Sequence, residues 1–120
     1  MVHARQQLGA LGEEAAANWY IAKGFEIVGR NWRNGRSGEI DLIARLGRQC
    51  VFCEVKTRSS VQFGTGFEAV TEAKQRRVRG LAMAWLAARR ESGTEEWLEL
   101  RFDVAAVDPS GSVEVLEGAF

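Results

Sequence analysis

The stretch Gly38-Glu39-Ile40-Asp41-Leu42-Ile43-Ala44-Arg45-Leu46-Gly47-Arg48-Gln49-Cys50-Val51-Phe52-Cys53-Glu54-Val55-Lys56-Thr57 decides the fold of this chain. Two runs rich in aliphatic and β-branched residues, 38–45 and 50–57, flank a short turn-forming segment, a pattern typical of a β-hairpin. The pair Gly47-Arg48 begins with glycine and therefore suits a two-residue type II′ turn. We expect two antiparallel strands joined at this pair.

A two-residue turn fixes which side chains face each other across the hairpin. The facing pairs are Asp41 with Glu54, Glu39 with Lys56, and Ile43 with Phe52. Because side chains alternate along a strand, these six are predicted to share one face of the sheet. A longer loop would shift this register.

The other elements are predicted from the spacing of apolar residues. Helical spacing predicts one helix over about 6–23 and a second from an N-cap at Thr71 to about Arg89. Strands are predicted over 25–28, 97–107 and 113–116. The order helix, three strands, helix, two strands indicates an α/β or α+β fold, with one mixed sheet and helices packed on it. We expect a single domain over residues 1–120.

Composition excludes several classes of protein. The chain has 120 residues, of which 46% are hydrophobic and 27% charged, as is usual for a soluble globular protein. No apolar run approaches the roughly 18 residues of a membrane span, and residues 1–7 lead into a helix without a secretory signal. We therefore expect no membrane partner and a cytoplasmic location.

Two cysteines form a lone C-x-x-C motif, Cys50 and Cys53. A structural zinc site needs about four ligands, and the only histidine, His3, is distant in the sequence. A strand would send the two thiols to opposite faces, which disfavours a redox pair. We expect both cysteines to be small core residues.

Charge is unevenly distributed along a chain whose formal net charge is zero. Residues 30–90 carry 13 basic and five acidic side chains, whereas residues 91–120 carry one basic and eight acidic side chains. A basic middle segment is what a phosphate-facing surface needs, although folding can interleave the two segments. The run from Lys74 to Arg79 fits either a solvated helix face or a phosphate-binding surface.

Three ionisable residues, Asp41, Glu54 and Lys56, lie within strongly apolar strands. Two facing carboxylates repel unless a cation lies between them, and Mg²⁺ prefers such oxygen ligands together with water and phosphate oxygens. The backbone carbonyl of Val55 is a further candidate ligand. Lys56 could hold or activate a metal-bound water or neutralise charge on a phosphate. The alternative is a structural ion pair of Lys56 with Glu54 or Glu39.

These residues carry a resemblance to a known family. The segments 38–44 and 51–58 resemble the YraN family of small bacterial proteins. The resemblance extends to Leu8-Gly9-Ala10-Leu11-Gly12-Glu13, Arg30-Asn31-Trp32-Arg33, Ala69-Val70-Thr71, Lys74-Gln75-Arg76-Arg77 and Arg101-Phe102-Asp103-Val104. Almost the whole chain is covered.

That family is similar to the PD-(D/E)xK nucleases, which include archaeal Holliday junction resolvases and have a restriction-endonuclease-like fold. The resemblance implies that Asp41, Glu54 and Lys56 are the catalytic residues. It also implies one or two Mg²⁺ or Mn²⁺ ions, held by Asp41, Glu54 and an acid of the first helix, Glu13 in preference to Glu14. Ile40 replaces the usual proline, and Cys53 the usual valine, without removing a ligand.

The function expected on this basis is metal-dependent hydrolysis of phosphodiester bonds. We expect Lys74, Arg76, Arg77 and Arg58 to contact nucleic acid, with DNA the expected partner. The sequence leaves open DNA versus RNA, duplex versus branched substrates, and a homodimer of the kind that junction resolvases form. The rival interpretation is a module of the same fold that binds nucleic acid or protein without cleavage.

Overall fold

The computed structural model describes residues 4–58, 70–91, 97 and 99–120. Its elements, in chain order, are α1 (Ala4–Ala22), β1 (Glu26–Arg33), β2 (Glu39–Leu46), β3 (Gln49–Thr57), α2 (Glu72–Glu91), β4 (Glu99–Val107) and β5 (Val113–Leu116). This α/β arrangement confirms the predicted order and is consistent with a restriction-endonuclease-like fold. Among these residues, neither helix combines the length and apolar character that crossing a bilayer requires.

The five strands form one mixed sheet in the order β1-β2-β3-β4-β5. Strands β3 and β4 run parallel, and the remaining neighbours run antiparallel. A parallel pair needs a crossover connection, which here contains α2. The predicted turn is confirmed, because Leu46 pairs with Gln49 across Gly47, whose φ is 61°.

Each face of the sheet packs against one helix. Ala16, Ala17 and Tyr20 of α1 pack on one face, and Leu81, Ala82 and Trp85 of α2 pack on the other. The α1-side core contains Val51 and Cys53, whereas the α2-side core contains Cys50 and Phe52. The two thiols are buried and form no disulfide bond, and they lie on opposite faces as predicted.

Strand β1 is longer than its predicted range of 25–28. It continues to Arg33 and contains a register irregularity between Ile27 and Gly29. The second half of β1 was not predicted because the residues after Val28 are mostly polar. A half-exposed edge strand needs few apolar residues, so its sequence lacks the usual strand pattern. The extension places Arg30 and Asn31 beside β2, where the candidate site lies.

A buried carboxylate fastens the C-terminal segment to the rest of the protein. Asp103 is fully buried and accepts hydrogen bonds from the Tyr20 hydroxyl (2.6 Å), the backbone N–H of Gly118 (3.0 Å) and two nitrogens of Arg101 (2.9 and 3.0 Å). These donors compensate the desolvation of the carboxylate, since a buried charge is tolerated only when it is paired and hydrogen-bonded. The network joins α1, β4 and the residues after β5.

Helix α1 approaches β3 closely at Gly12. A Cβ atom at this position would lie 3.2 Å from Cγ2 and 3.3 Å from Cβ of Thr57, with the Thr57 hydroxyl closer still. Threonine is branched at Cβ and cannot swing away easily. Glycine therefore allows the approach that places the next residue, Glu13, near the sheet.

We predict that Gly12→Ala lowers the free energy of unfolding by about 1–3 kcal/mol because the added methyl group collides with Thr57. Gly9→Ala is the matched control in the same helix, because a methyl group added there would meet no described atom outside its own helical segment within 4 Å. This control should raise stability by up to about 1 kcal/mol. Urea unfolding of both variants measures the difference, and equal stability of the two would contradict this close packing.

Candidate active site

The candidate site begins where the β2–β3 hairpin stops pairing. The predicted register is confirmed from Leu42–Cys53 to Leu46–Gln49, but the ladder does not extend to Asp41 and Glu54. In a continued ladder the amide of Val55 would donate to the carbonyl of Ile40. It donates instead to Oδ2 of Asp41, at 2.8 Å.

The expected alternation of side chains along β2 is wrong at this point. Ile40 and Ile43 both pack in the α2-side core, whereas Leu42 packs in the α1-side core. Strict alternation would place Ile40 and Leu42 on the same face. The strand thus changes its facing at Asp41, where the carboxylate replaces a backbone acceptor.

The residue opposite Asp41 on β1 is also irregular. Asn31 lies between Arg30 and Trp32, which pair with Leu42 and Ile40, and its φ is 47°. Asparagine tolerates this left-handed conformation better than most residues. Its side-chain nitrogen donates to Oε2 of Glu13, at 3.0 Å.

The two acids of α1 have different partners. Glu14 forms an ion pair with Arg30 at 2.7 Å, whereas Glu13, held by Asn31, lies close enough to Asp41 to raise the pKa of the latter. This placement favours Glu13 over Glu14 as the helix acid associated with the site. Its role as a metal ligand remains a prediction.

Asp41 lies in an environment that disfavours its ionised form. Burial raises its pKa from the ordinary 3.8 to about 6, the amide of Val55 opposes this rise, and the carboxylates of Glu13, Glu54 and Glu39 add to it. Desolvation and like charges both penalise a carboxylate. A cation at this position would relieve both effects.

Glu54 is held from the opposite side by α2. Its Oε1 forms an ion pair with Nζ of Lys74, while Oε2 is buried without a hydrogen-bond partner among the described residues. Glu39 contacts Nε of Arg33 at 3.2 Å. The acids that were candidates for a structural pair with Lys56 thus contact other cations in this structure.

Asp41 and Glu54 line one pocket, with a volume of about 260 Å³. It opens between the diverging ends of β2 and β3 and the first turns of α2. The other lining residues are Gly38, Glu39, Ile40, Cys53, Lys74, Arg77 and Val78. The pocket therefore combines two partly buried acids, Asp41 and Glu54, with two basic side chains, Lys74 and Arg77.

Lys56 lies on the same face of β3 as Glu54. Val55 packs against the α1-side core, so its neighbours on the strand project toward the α2 side. Lys56 is partly buried but is not among the described residues that line the pocket. The predicted face is correct, while the side chain of Lys56 lies outside the pocket that the two acids share.

The other basic residues predicted to contact nucleic acid are divided between two places. Arg77 lines the pocket, and Arg76 is exposed on the same helix. Arg58 lies instead near Asp108, whose pKa is lowered by hydrogen bonds from Ser110 and Ser112 and also by the charge of Arg58. Their contact with nucleic acid remains a prediction.

The donor set fits a hard divalent cation in part. Within the ranges the structure describes, no three His, Cys, Asp or Glu side chains converge as a ready metal-binding group. Two carboxylates, one with an unpartnered buried oxygen and the other with a raised pKa, are nevertheless the oxygen ligands that Mg²⁺ uses beside water and phosphate. These residues would hold the ion only with ligands from solvent or substrate.

Two features of the site were missed in the sequence. Asn31 was not predicted to lie in a strand, although an asparagine between strand-forming residues is a signal for a left-handed position. Lys74 was predicted to contact nucleic acid, whereas the structure pairs it with Glu54. No local pattern indicates that pair, because it joins β3 to α2 across the crossover.

Fold and site together define an α/β protein with paired acids where two strands of a mixed sheet diverge. The chain belongs to the family described as "Uncharacterised protein family UPF0102", whose profile matches residues 12–107. This finding confirms the resemblance to the YraN family.

Three relatives illustrate how far the similarity extends, and each carries the name UPF0102 protein. The chain is 49% identical to one from Rhodococcus opacus over 94% of this chain and 95% of the relative. It is 46% identical to one from Acidothermus cellulolyticus over 98% and 96%. It is 52% identical to one from Nocardia farcinica over 86% and 77%.

We predict that Asp41→Asn stabilises the metal-free protein at pH 8 by about 1–3 kcal/mol. Asparagine keeps an acceptor for the Val55 amide but has no charge. An acid whose pKa is raised on folding contributes stability below its ordinary pKa and loses it as the pH rises through the folded value. The advantage of the variant should therefore grow between pH 3.8 and about 6 and then level off.

Urea unfolding in the presence of a chelator, repeated across this pH range, measures the difference. Glu14→Gln is the control, because Glu14 is exposed and paired with Arg30, and it should show no such gain. If the wild-type protein were more stable than Asp41→Asn at pH 8, burial and neighbouring acids would not disfavour the ionised form of Asp41.

Proposed function

We propose that this protein is a metal-dependent nuclease that hydrolyses phosphodiester bonds. The observation that carries the proposal is the pocket that Asp41 and Glu54 line beside basic residues of α2. Oε2 of Glu54 is buried there without a hydrogen-bond partner among the described residues. Acids that hold a cation, next to side chains that attract phosphate, are the parts that metal-assisted phosphodiester hydrolysis requires.

The backbone of Val55 supports this ligand set. Its N–H points toward β2, where it reaches Asp41, and the C=O of the same strand residue projects toward the same neighbouring strand. Asp41, Glu54 and the Val55 carbonyl are therefore the protein groups that would hold Mg²⁺ or Mn²⁺. When bound, such an ion polarises the phosphate and acidifies a coordinated water.

The remaining residues have roles that follow from their positions. Lys56, on the face of Glu54, would orient the attacking water or neutralise developing charge once its flexible side chain turns toward the pocket. Arg77 and Arg76 of α2 bind backbone phosphates beside the pocket. Glu13, which accepts a hydrogen bond from Asn31, would hold a second ion or a water.

Nucleic acid, with DNA preferred, is the partner proposed for this surface. Residues 70–90 contain six basic residues and one acid, and the basic side chains Lys74 and Arg77 border the pocket. Contacts to phosphate give affinity without sequence specificity and weaken as salt increases. We therefore propose that the protein recognises the shape of the nucleic-acid backbone rather than a base sequence.

We expect titration with Mn²⁺, followed by calorimetry, to show saturable binding to the wild-type protein. Asp41→Asn and Glu54→Gln each remove one ligand charge and should weaken binding at least about tenfold. Glu14→Gln, which retains the pocket, should bind like wild type. No binding by the wild-type protein would refute the metal site.

Cleavage is tested on a panel of duplexes, hairpins, forks and four-way junctions in DNA and RNA with Mn²⁺. Lys56→Ala should lower the rate by about 100-fold or more while leaving metal affinity within a few-fold of wild type, because Lys56 acts on the reacting groups. Metal binding and nucleic-acid binding without cleavage of any substrate would support the rival binding module.

A further inference from the structure

Lys74 occupies an unexpected position for a residue of a phosphate-binding surface. Its ammonium group contacts Oε1 of Glu54, and the side chains of Lys74 and Glu54 are 34% and 15% exposed. Oε2 of the same carboxylate has no partner among the described residues. One half of the Glu54 carboxylate is thus compensated by the protein, and the other half is not.

The first turn of α2 fixes the backbone of Lys74. Its N–H donates to Oγ1 of Thr71 at 3.2 Å, and Gln75 N–H donates to the Thr71 carbonyl at 2.9 Å. The Gln75 side chain donates to the carbonyl of Val70, at 2.9 Å. This N-cap anchors the helix start. The four-carbon side chain of Lys74 is flexible by its chemistry and can adopt another rotamer once its contact with Glu54 is lost.

We propose that Lys74 is an internal cation of the metal site: it neutralises Glu54 in the metal-free protein and is displaced when a divalent ion binds. This inference rests on the proposed function, since it concerns the metal that Glu54 would hold. An ammonium group and a divalent cation a few ångströms apart repel strongly in a partly buried site. They therefore compete for the same carboxylate.

Displacement connects metal binding to the basic surface. Lys74 and Arg77 line the same pocket, so a released ammonium group would be available beside Arg77 to contact a phosphate. A ligand that binds one state better shifts the equilibrium toward that state, and the coupling between two ligands is reciprocal. Metal binding thus makes an additional cation accessible to an anionic ligand, and that ligand strengthens metal binding.

The test measures Mn²⁺ affinity by calorimetry in wild type, Lys74→Gln, Lys74→Arg and Arg77→Gln. Lys74→Gln removes the competing charge and should bind Mn²⁺ at least about fivefold more tightly than wild type. Lys74→Arg retains a cation and should stay close to wild type. Arg77→Gln removes a charge from the same pocket without removing the Glu54 partner and should change affinity less than Lys74→Gln.

Thermal unfolding gives a second readout and shows that each variant is folded. Without metal, Lys74→Gln leaves the charge of Glu54 uncompensated and should melt at a lower temperature than wild type. Saturating Mn²⁺ should raise its Tm by more than it raises that of wild type. A Tm increase equal to that of wild type would overturn displacement.

The outcomes separate this inference from the proposed function. Unchanged or weaker Mn²⁺ binding by Lys74→Gln, with binding by wild type intact, overturns the role of Lys74 and leaves the metal site standing. Equal gains in Lys74→Gln and Arg77→Gln also overturn it, because they reflect the field of any nearby charge. Absence of binding in all four proteins refutes the metal site itself and this inference with it.

Discussion

The structure depends on the double pairing of β3. This strand is hydrogen-bonded to β2 on one side and to β4 on the other, so its residues cannot rotate or slip without loss of both ladders. Phe52 is thereby fixed in the core beneath α2 and Cys53 in the core beneath α1. The direction of Glu54 follows from the packing of these two neighbours, and the ion pair with Lys74 then holds its carboxylate from the side of α2.

The candidate site lies where this regularity ends. The carboxylate of Asp41 accepts the hydrogen bond of the Val55 amide, which a backbone carbonyl would accept in a regular ladder. Asn31, opposite Asp41 on β1, has a left-handed backbone conformation. Departures from ideal geometry are maintained when the surrounding structure over-determines them, and they concentrate at functional sites. Here the regular part of the hairpin, from Leu42 to Leu46, holds the irregular part in place. As a result, the carboxylates of Glu13, Glu39 and Glu54 lie near that of Asp41, and a cation bound among them would be stabilised by their negative charge.

Much of the fold was predictable from local patterns. A two-residue turn and apolar alternation are short-range signals, and they led to the correct register of the hairpin and the correct range of β5. The extension of β1 was not predictable in the same way, because its edge position needs few apolar residues. The partner of Glu54 lies on another element and depends on how α2 crosses the sheet. Such long-range contacts produce no periodic pattern in the sequence. For this reason Asp41 and Glu54 could be singled out from the sequence, whereas the ion pair of Glu54 with Lys74 could not.

Strand β5 and the residues after it lie beyond the segment 12–107 that matches the family profile, yet they protect the sheet. Five consecutive residues of β4, Asp103–Val107, are buried, and β5 pairs with the last four of them. Asp103 also holds the amide of Gly118. A protein cut at Val107 would present β4 as a bare apolar edge with unpaired backbone groups, which is a template for strand addition by another chain. Strand β5 therefore covers an edge of β4 that would otherwise be open to strand addition.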